Sequence, residues 1–74
     1  MVKYWCDFIT YEGNKQTIGY RTLQGLLGDV WYDINNSTDS VGANSIVKFY
    51  IKANNEEGFY ISNPKYDFLE SDED

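Results

Sequence analysis

The stretch Thr22-Leu23-Gln24-Gly25-Leu26-Leu27-Gly28-Asp29-Val30-Trp31-Tyr32-Asp33-Ile34-Asn35-Asn36 decides how this chain folds. Leu23, Leu26, Leu27, Val30, Trp31 and Ile34 recur at steps of three, one, three, one and three. That is one apolar stripe at the 3.6-residue period of an α-helix. The spacing predicts a helix over 22–36, with the Thr22 hydroxyl capping a backbone N–H of its first turn. The other face holds Gln24, Gly25, Gly28, Asp29, Tyr32, Asp33 and Asn35, so Asp29 and Asp33 read as a solvated carboxylate pair one turn apart. Gly25 and Gly28 each cost about 1 kcal/mol relative to alanine. The helix therefore needs something to lie on, and the apolar stripe should face it.

The flanking segments supply a sheet. Residues 2–11 alternate Val2, Tyr4, Cys6, Phe8 and Thr10 with Lys3, Trp5, Asp7, Ile9 and Tyr11, strand formers on both faces. Glu12-Gly13-Asn14 is a turn signal, and 15–21 completes a hairpin in which Gly19 suggests a bulge. After a polar loop over 35–45 comes a strong strand, 45–53. The loop Asn54-Asn55-Glu56-Glu57-Gly58 turns the chain into a fourth strand, 59–63, ended by Asn63-Pro64. Phe8, Val47, Phe49, Phe59 and Ile61 are expected to face the helix, and Trp5, Ile9, Tyr11, Tyr50 and Tyr60 to face away.

The expected fold is α+β: two β-hairpins and one amphipathic helix, in the order β-β-α-β-β, with the helix on one face of a small, mainly antiparallel sheet. Residues 1–64 form the domain and 65–74 an acidic, mobile tail. The element order resembles that of small β-grasp immunoglobulin-binding domains, a likeness of layout that implies no function.

Charge is unevenly distributed along the 74 residues. Residues 1–52 hold five bases and five acids. Residues 53–74 hold Glu56, Glu57, Asp67, Glu70, Asp72, Glu73 and Asp74 against Lys65, and so carry the whole net charge of −6. An acidic chain repels nucleic acid and anionic membranes and suits a basic partner. No apolar run is long enough to span a bilayer, and the amino-terminal residues lack a signal-peptide core. The lone Cys6 cannot form an intrachain disulfide, which points to the cytoplasm.

Enzymatic groups are sparse. The chain has no histidine, and Cys6 sits in an apolar row where a small core residue is expected. Asp33, Asn35, Ser37 and Asp39 alternate like the opening ligands of an EF-hand, but Thr38 and Asn44 stand where glycine and a bidentate glutamate are required. No metal, cofactor or catalytic residue is therefore expected.

Three surfaces remain. The acids Glu56, Glu57, Asp67, Glu70, Asp72, Glu73 and Asp74, with Tyr66 and Phe68 as apolar anchors, would dock into a basic groove. Lysines and aromatics interleave on the outward sheet face: Trp5, Tyr11, Tyr50, Tyr60, Lys48 and Lys52. That face would serve self-association or, less favoured by the net charge, single-stranded nucleic acid. Gly25 and Gly28 beside Tyr32 form the third. Small acidic chains without catalytic groups resemble phage-encoded inhibitors of host defence. The resemblance implies a non-enzymatic protein that binds and blocks a basic surface of a nucleic-acid-handling protein, as a nucleic-acid mimic in the host cytoplasm. The alternative is an assembly protein that pairs through its aromatic sheet face.

Overall fold

The computed structural model describes residues 1–70. The strands are β1 (Tyr4–Thr10), β2 (Lys15–Tyr20), β3 (Ile46–Ala53) and β4 (Phe59–Ser62). Helix α1 (Leu23–Asn35) joins β2 to β3, and a 3-10 segment, η1 (Pro64–Glu70), follows β4. All strand pairs are antiparallel, in the order β2-β1-β3-β4. The β-grasp layout instead sets its first and last strands side by side, so the likeness stops at the element order. Among the described residues, no helix is long and apolar enough to cross a membrane.

The topology places the helix. Both β2 and β3 run antiparallel to β1, so they are parallel to each other and their connection must travel back along the sheet. α1 makes that return while packed over β1 and β2. It starts capped: Thr22 Oγ1 accepts a hydrogen bond from the Gly25 N–H at 3.0 Å. Its first turn lies at the end of the sheet where Tyr4 faces Tyr20 and Ala53, the end that also carries the β3–β4 turn. Its last turn lies at the opposite end, beside η1.

The core is Cys6, Phe8, Leu26, Val30, Phe49 and Ile51. Phe8 and Phe49 face each other across β1 and β3 and meet edge to face, with ring centroids 5.6 Å apart. Trp5 and Ile9 point the other way, as the alternation of 2–11 predicts. Two expectations change. The pairing of β1 with β3 slips at its far end: Ile9 faces Lys48, but Thr10 faces Ile46. The extra residue on β3 restarts the alternation, so Ile46, rather than Val47, packs against the core. Gly19 is no bulge: it pairs in register with Trp5, and a Cβ there would lie 2.9 Å from the indole. Glycine at 19 leaves room for the Trp5 ring to lie across β2.

Residues 65–70, expected to belong to the acidic tail, continue from Pro64 as η1, and Tyr66 is buried. Asn63, also fully buried, fastens it. Asn63 Nδ2 donates to Ser37 Oγ at 2.9 Å and to the Ile46 carbonyl at 2.8 Å. Its Oδ1 accepts from the Lys65 N–H at 2.9 Å. The loop after α1, the start of β3 and η1 thus converge on one side chain.

Candidate interaction surface

Half of the helix stripe does not enter the core. Leu26 is fully buried, Val30 nearly so, and Ile34 packs against the core. Leu23, Leu27 and Trp31, four residues apart on one ridge, remain 43%, 45% and 64% exposed. The reason is the helix's position. Tyr20 Oη donates to Asp29 Oδ2 at 2.8 Å, which ties that flank of α1 to β2. At roughly 100° per residue, Trp31 lies about 160° around the axis from Asp29, on the flank turned away from β2. The inner face of β4 is correspondingly open. Phe59 pairs with buried Ile51 and shares its face, yet is 57% exposed because α1 rests on β1 and β2. Leu23, Leu27 and Trp31 therefore form an apolar ridge along the open side of the helix, and Phe59 is a further exposed apolar residue on the inner face of β4. The ridge is about 12 Å long.

The described acids lie in the segments at the two ends of the sheet and do not converge. Glu56 and Glu57 are exposed in the β3–β4 turn, at the end where α1 begins. Asp67 is exposed in η1, at the end where α1 stops, and Glu70 closes that segment. β4 separates the two groups. Asp72, Glu73 and Asp74 lie outside the described residues. Of the expected anchors, Phe68 is exposed and stands edge-on to Tyr66, with centroids 6.3 Å apart. Tyr66 itself is not available to a partner. It is 3% exposed, and its hydroxyl hydrogen-bonds with Ser37, Thr38 and Ser45. The aromatic that sequence reasoning assigned to a partner anchors the chain to itself.

On the far side of the sheet, Trp5, Asp7, Ile9, Lys15, Thr17, Lys48, Tyr50, Lys52 and Tyr60 share the face turned away from the helix. Tyr50 and Tyr60 sit directly opposite each other, centroids 4.7 Å apart, and Lys48 Nζ lies 5.4 Å from the Tyr60 centroid. Trp5 Nε1 donates to Asn54 Oδ1 at 2.8 Å. Asp7 accepts from Thr17 Oγ1 at 2.6 Å and pairs with Lys15 at 3.7 Å. The Gly58 N–H donates to Tyr50 Oη at 3.1 Å, and a Cβ at Gly58 would meet that oxygen at 2.6 Å. Tyr11 is exposed just beyond the end of β1.

Asp29 and Asp33 are not simply solvated. They line a cavity of about 380 Å³ between α1 and β2, together with Phe8, Gln16, Ile18, Tyr32 and Ile46. Burial raises the carboxyl pKa of Asp33, and the neighbouring Asp29 charge raises it further. A Cβ at Gly28 would meet open space, and Gly25 packs under Thr22. Cys6 is held as a thiol, its pKa pushed up to about 12 by desolvation and then by Asp7, Asp33 and Asp29. It is a poor nucleophile at neutral pH.

No protein family, curated protein or solved structure matches this chain.

Proposed function

We propose that this chain is a non-enzymatic interaction protein that binds a basic surface of a nucleic-acid-handling protein and blocks it. The observation that carries the reading is the exposed helix ridge of Leu23, Leu27 and Trp31, with the exposed acids Glu56, Glu57 and Asp67 in the segments at the two ends of the sheet. Isolated exposed apolar residues are ordinary, but three on one helix ridge that includes a tryptophan have the composition of an interface centre. Acids at its rim select for a basic partner and exclude an acidic one. Carboxylates spaced along a solid apolar contact would occupy positions where such a partner holds phosphates.

The test is capture from a lysate of the source organism by the immobilised chain, at rising salt, beside two variants. One carries Leu27→Ser with Trp31→Ala, the other Glu56→Lys with Glu57→Lys. Both should lose the proteins that the parent retains, the acid pair having the stronger salt dependence. Those captured proteins should lose their own nucleic-acid binding when the parent chain is added. Undiminished capture by both variants, or partners that keep their nucleic acid at saturating chain, would refute the reading.

A further inference from the structure

We infer that the outer sheet face is a binding site for single-stranded nucleic acid, separate from the helix-side ridge. The argument begins with where folding places the charges. The face carries Lys15, Lys48 and Lys52 against Asp7 alone. Lys15 pairs with Asp7, and Lys48 and Lys52 are left as the net positive charge of this face. Among the outward residues of the strands, bases therefore outnumber acids in a chain that is acidic as a whole. The acids Glu56, Glu57, Asp67, Asp29 and Asp33 lie in the turns, in η1 or on the helix, none among the outward residues of the strands. Charges act over about a Debye length, about 8 Å at physiological salt, so Glu56 and Glu57, in the turn beside Lys52 and Tyr50, oppose the Lys52 end of the face, and Lys48 lies at the end away from them.

The second element of the argument is the array of π-faces. Tyr60 is 64% exposed. It stands at the edge of the sheet, paired with Tyr50 and adjoined by Lys48. Trp5 lies two residues before Asp7 on β1, opposite Lys52, and its ring is spread over Gly19 with its N–H fixed by Asn54. Both aromatic platforms are thus held in place before any ligand arrives, which lowers the ordering cost of stacking. Lys48 and Lys52 are four residues apart on β3, about 13 Å, and bracket Tyr50. Cations at two ends of an aromatic platform on an open sheet suit a flexible polyanion that alternates phosphates with planar bases. A double helix presents no free base faces and would find only the two lysines.

The experiment is fluorescence anisotropy of a short fluorescein-labelled oligothymidylate, titrated with the full chain at several low salt concentrations. Binding is expected, with a slope of log K against log salt of about −1.4, the value for two phosphates neutralised on a single strand. Lys48→Gln with Lys52→Gln should abolish binding and its salt dependence. Arg21→Gln with Lys65→Gln, which removes the same charge elsewhere, should preserve both. Tyr60→Ala should weaken binding about tenfold, the scale of one lost base stack. No anisotropy change at saturating chain would overturn the proposal, as would equal losses from the two double variants. Light scattering on the same samples supplies the other outcome. A dimer dissolved by Lys48→Gln with Lys52→Gln would assign the face to a second copy of the chain and overturn the proposal as well. None of these results depends on whether the helix-side ridge binds a protein.

Discussion

Substitutions on α1 distinguish the observed seating of the helix from the one its apolar period implies. Leu26 is fully buried in the core, whereas Leu27, its neighbour in sequence, is 45% exposed. Leu26→Ala removes the equivalent of three buried methylene groups, roughly 2.4 kcal/mol at about 0.8 kcal/mol each. The unfilled cavity raises the cost to about 3–4 kcal/mol. A domain of this length has a total stability of about 4–11 kcal/mol, so this one change removes about a quarter of it or more. Leu27→Ala forfeits about half the transfer term and leaves no cavity, and alanine's helix preference offsets part of that, so the cost is about 1 kcal/mol. Trp31→Ala belongs with Leu27→Ala, at about 1 kcal/mol or less, despite removing the largest side chain on the helix. With a urea m-value of about 1 kcal/mol/M, the midpoint should fall by about 3 M for Leu26→Ala and by about 1 M or less for the other two. Circular dichroism during urea titration measures all three. Equal losses for Trp31→Ala and Leu26→Ala would mean that the whole stripe faces the sheet, and the exposed ridge would not exist.

Three further outcomes follow from particular contacts. Asn63→Ala strands the Ile46 carbonyl and the Lys65 N–H inside the fold, and should cost about 2–3 kcal/mol in the same urea titration; a loss under 0.5 kcal/mol would contradict the bonding of η1 to the sheet. Asp33→Asn should stabilise the chain near neutral pH. Because the folded pKa of Asp33 is raised, by desolvation first and by Asp29 second, the native state takes up its proton before the unfolded chain does. The cost of the buried charge is therefore full above the folded pKa, shrinks as pH falls through it, and vanishes below the unfolded value of 3.8. The advantage of Asp33→Asn over the parent should shrink in that order, and an advantage independent of pH would contradict the assignment. Cys6, with its thiol pKa near 12 and its side chain in the core, should react with an aromatic disulfide reagent only as fast as the fold opens. Rapid labelling in buffer, equal to that in denaturant, would show that Cys6 is not buried.

The proposed binding modes use opposite sides of one sheet, and the fold explains why both sides are available. A single 13-residue helix is too narrow to cover four strands. It covers β1 and β2, leaves Phe59 on β4 partly open, and never reaches the outer face. Small domains of this kind expose a large share of their apolar side chains for want of a second layer. In this chain the uncovered residues sort into one apolar helix ridge and one aromatic sheet face that bears lysines.

Much of the architecture is legible in the residues alone, because it depends on short-range rules. Period-2 alternation, turn residues such as Gly13, the Thr22 cap and the 3.6-residue recurrence are local properties of a few neighbouring residues. They specify four strands and a helix within a residue or two of where these occur. They also separate Phe8 from Trp5 across β1. What they leave open is set by distances between segments remote in sequence. The apolar period of α1 does not reveal that Asp29 bonds to Tyr20 and so turns Leu27 and Trp31 away from the core. Nothing in the alternation of β3 reveals the slipped pairing that brings Ile46 inward, since the slip exists only against β1. Tyr66 reads as an exposed residue in an acidic tail until Asn63, with bonds to Ser37 and Ile46, holds η1 against the fold. Local sequence chose the elements, whereas the width of the helix against the sheet and the register between strands chose which apolar residues were left for a partner.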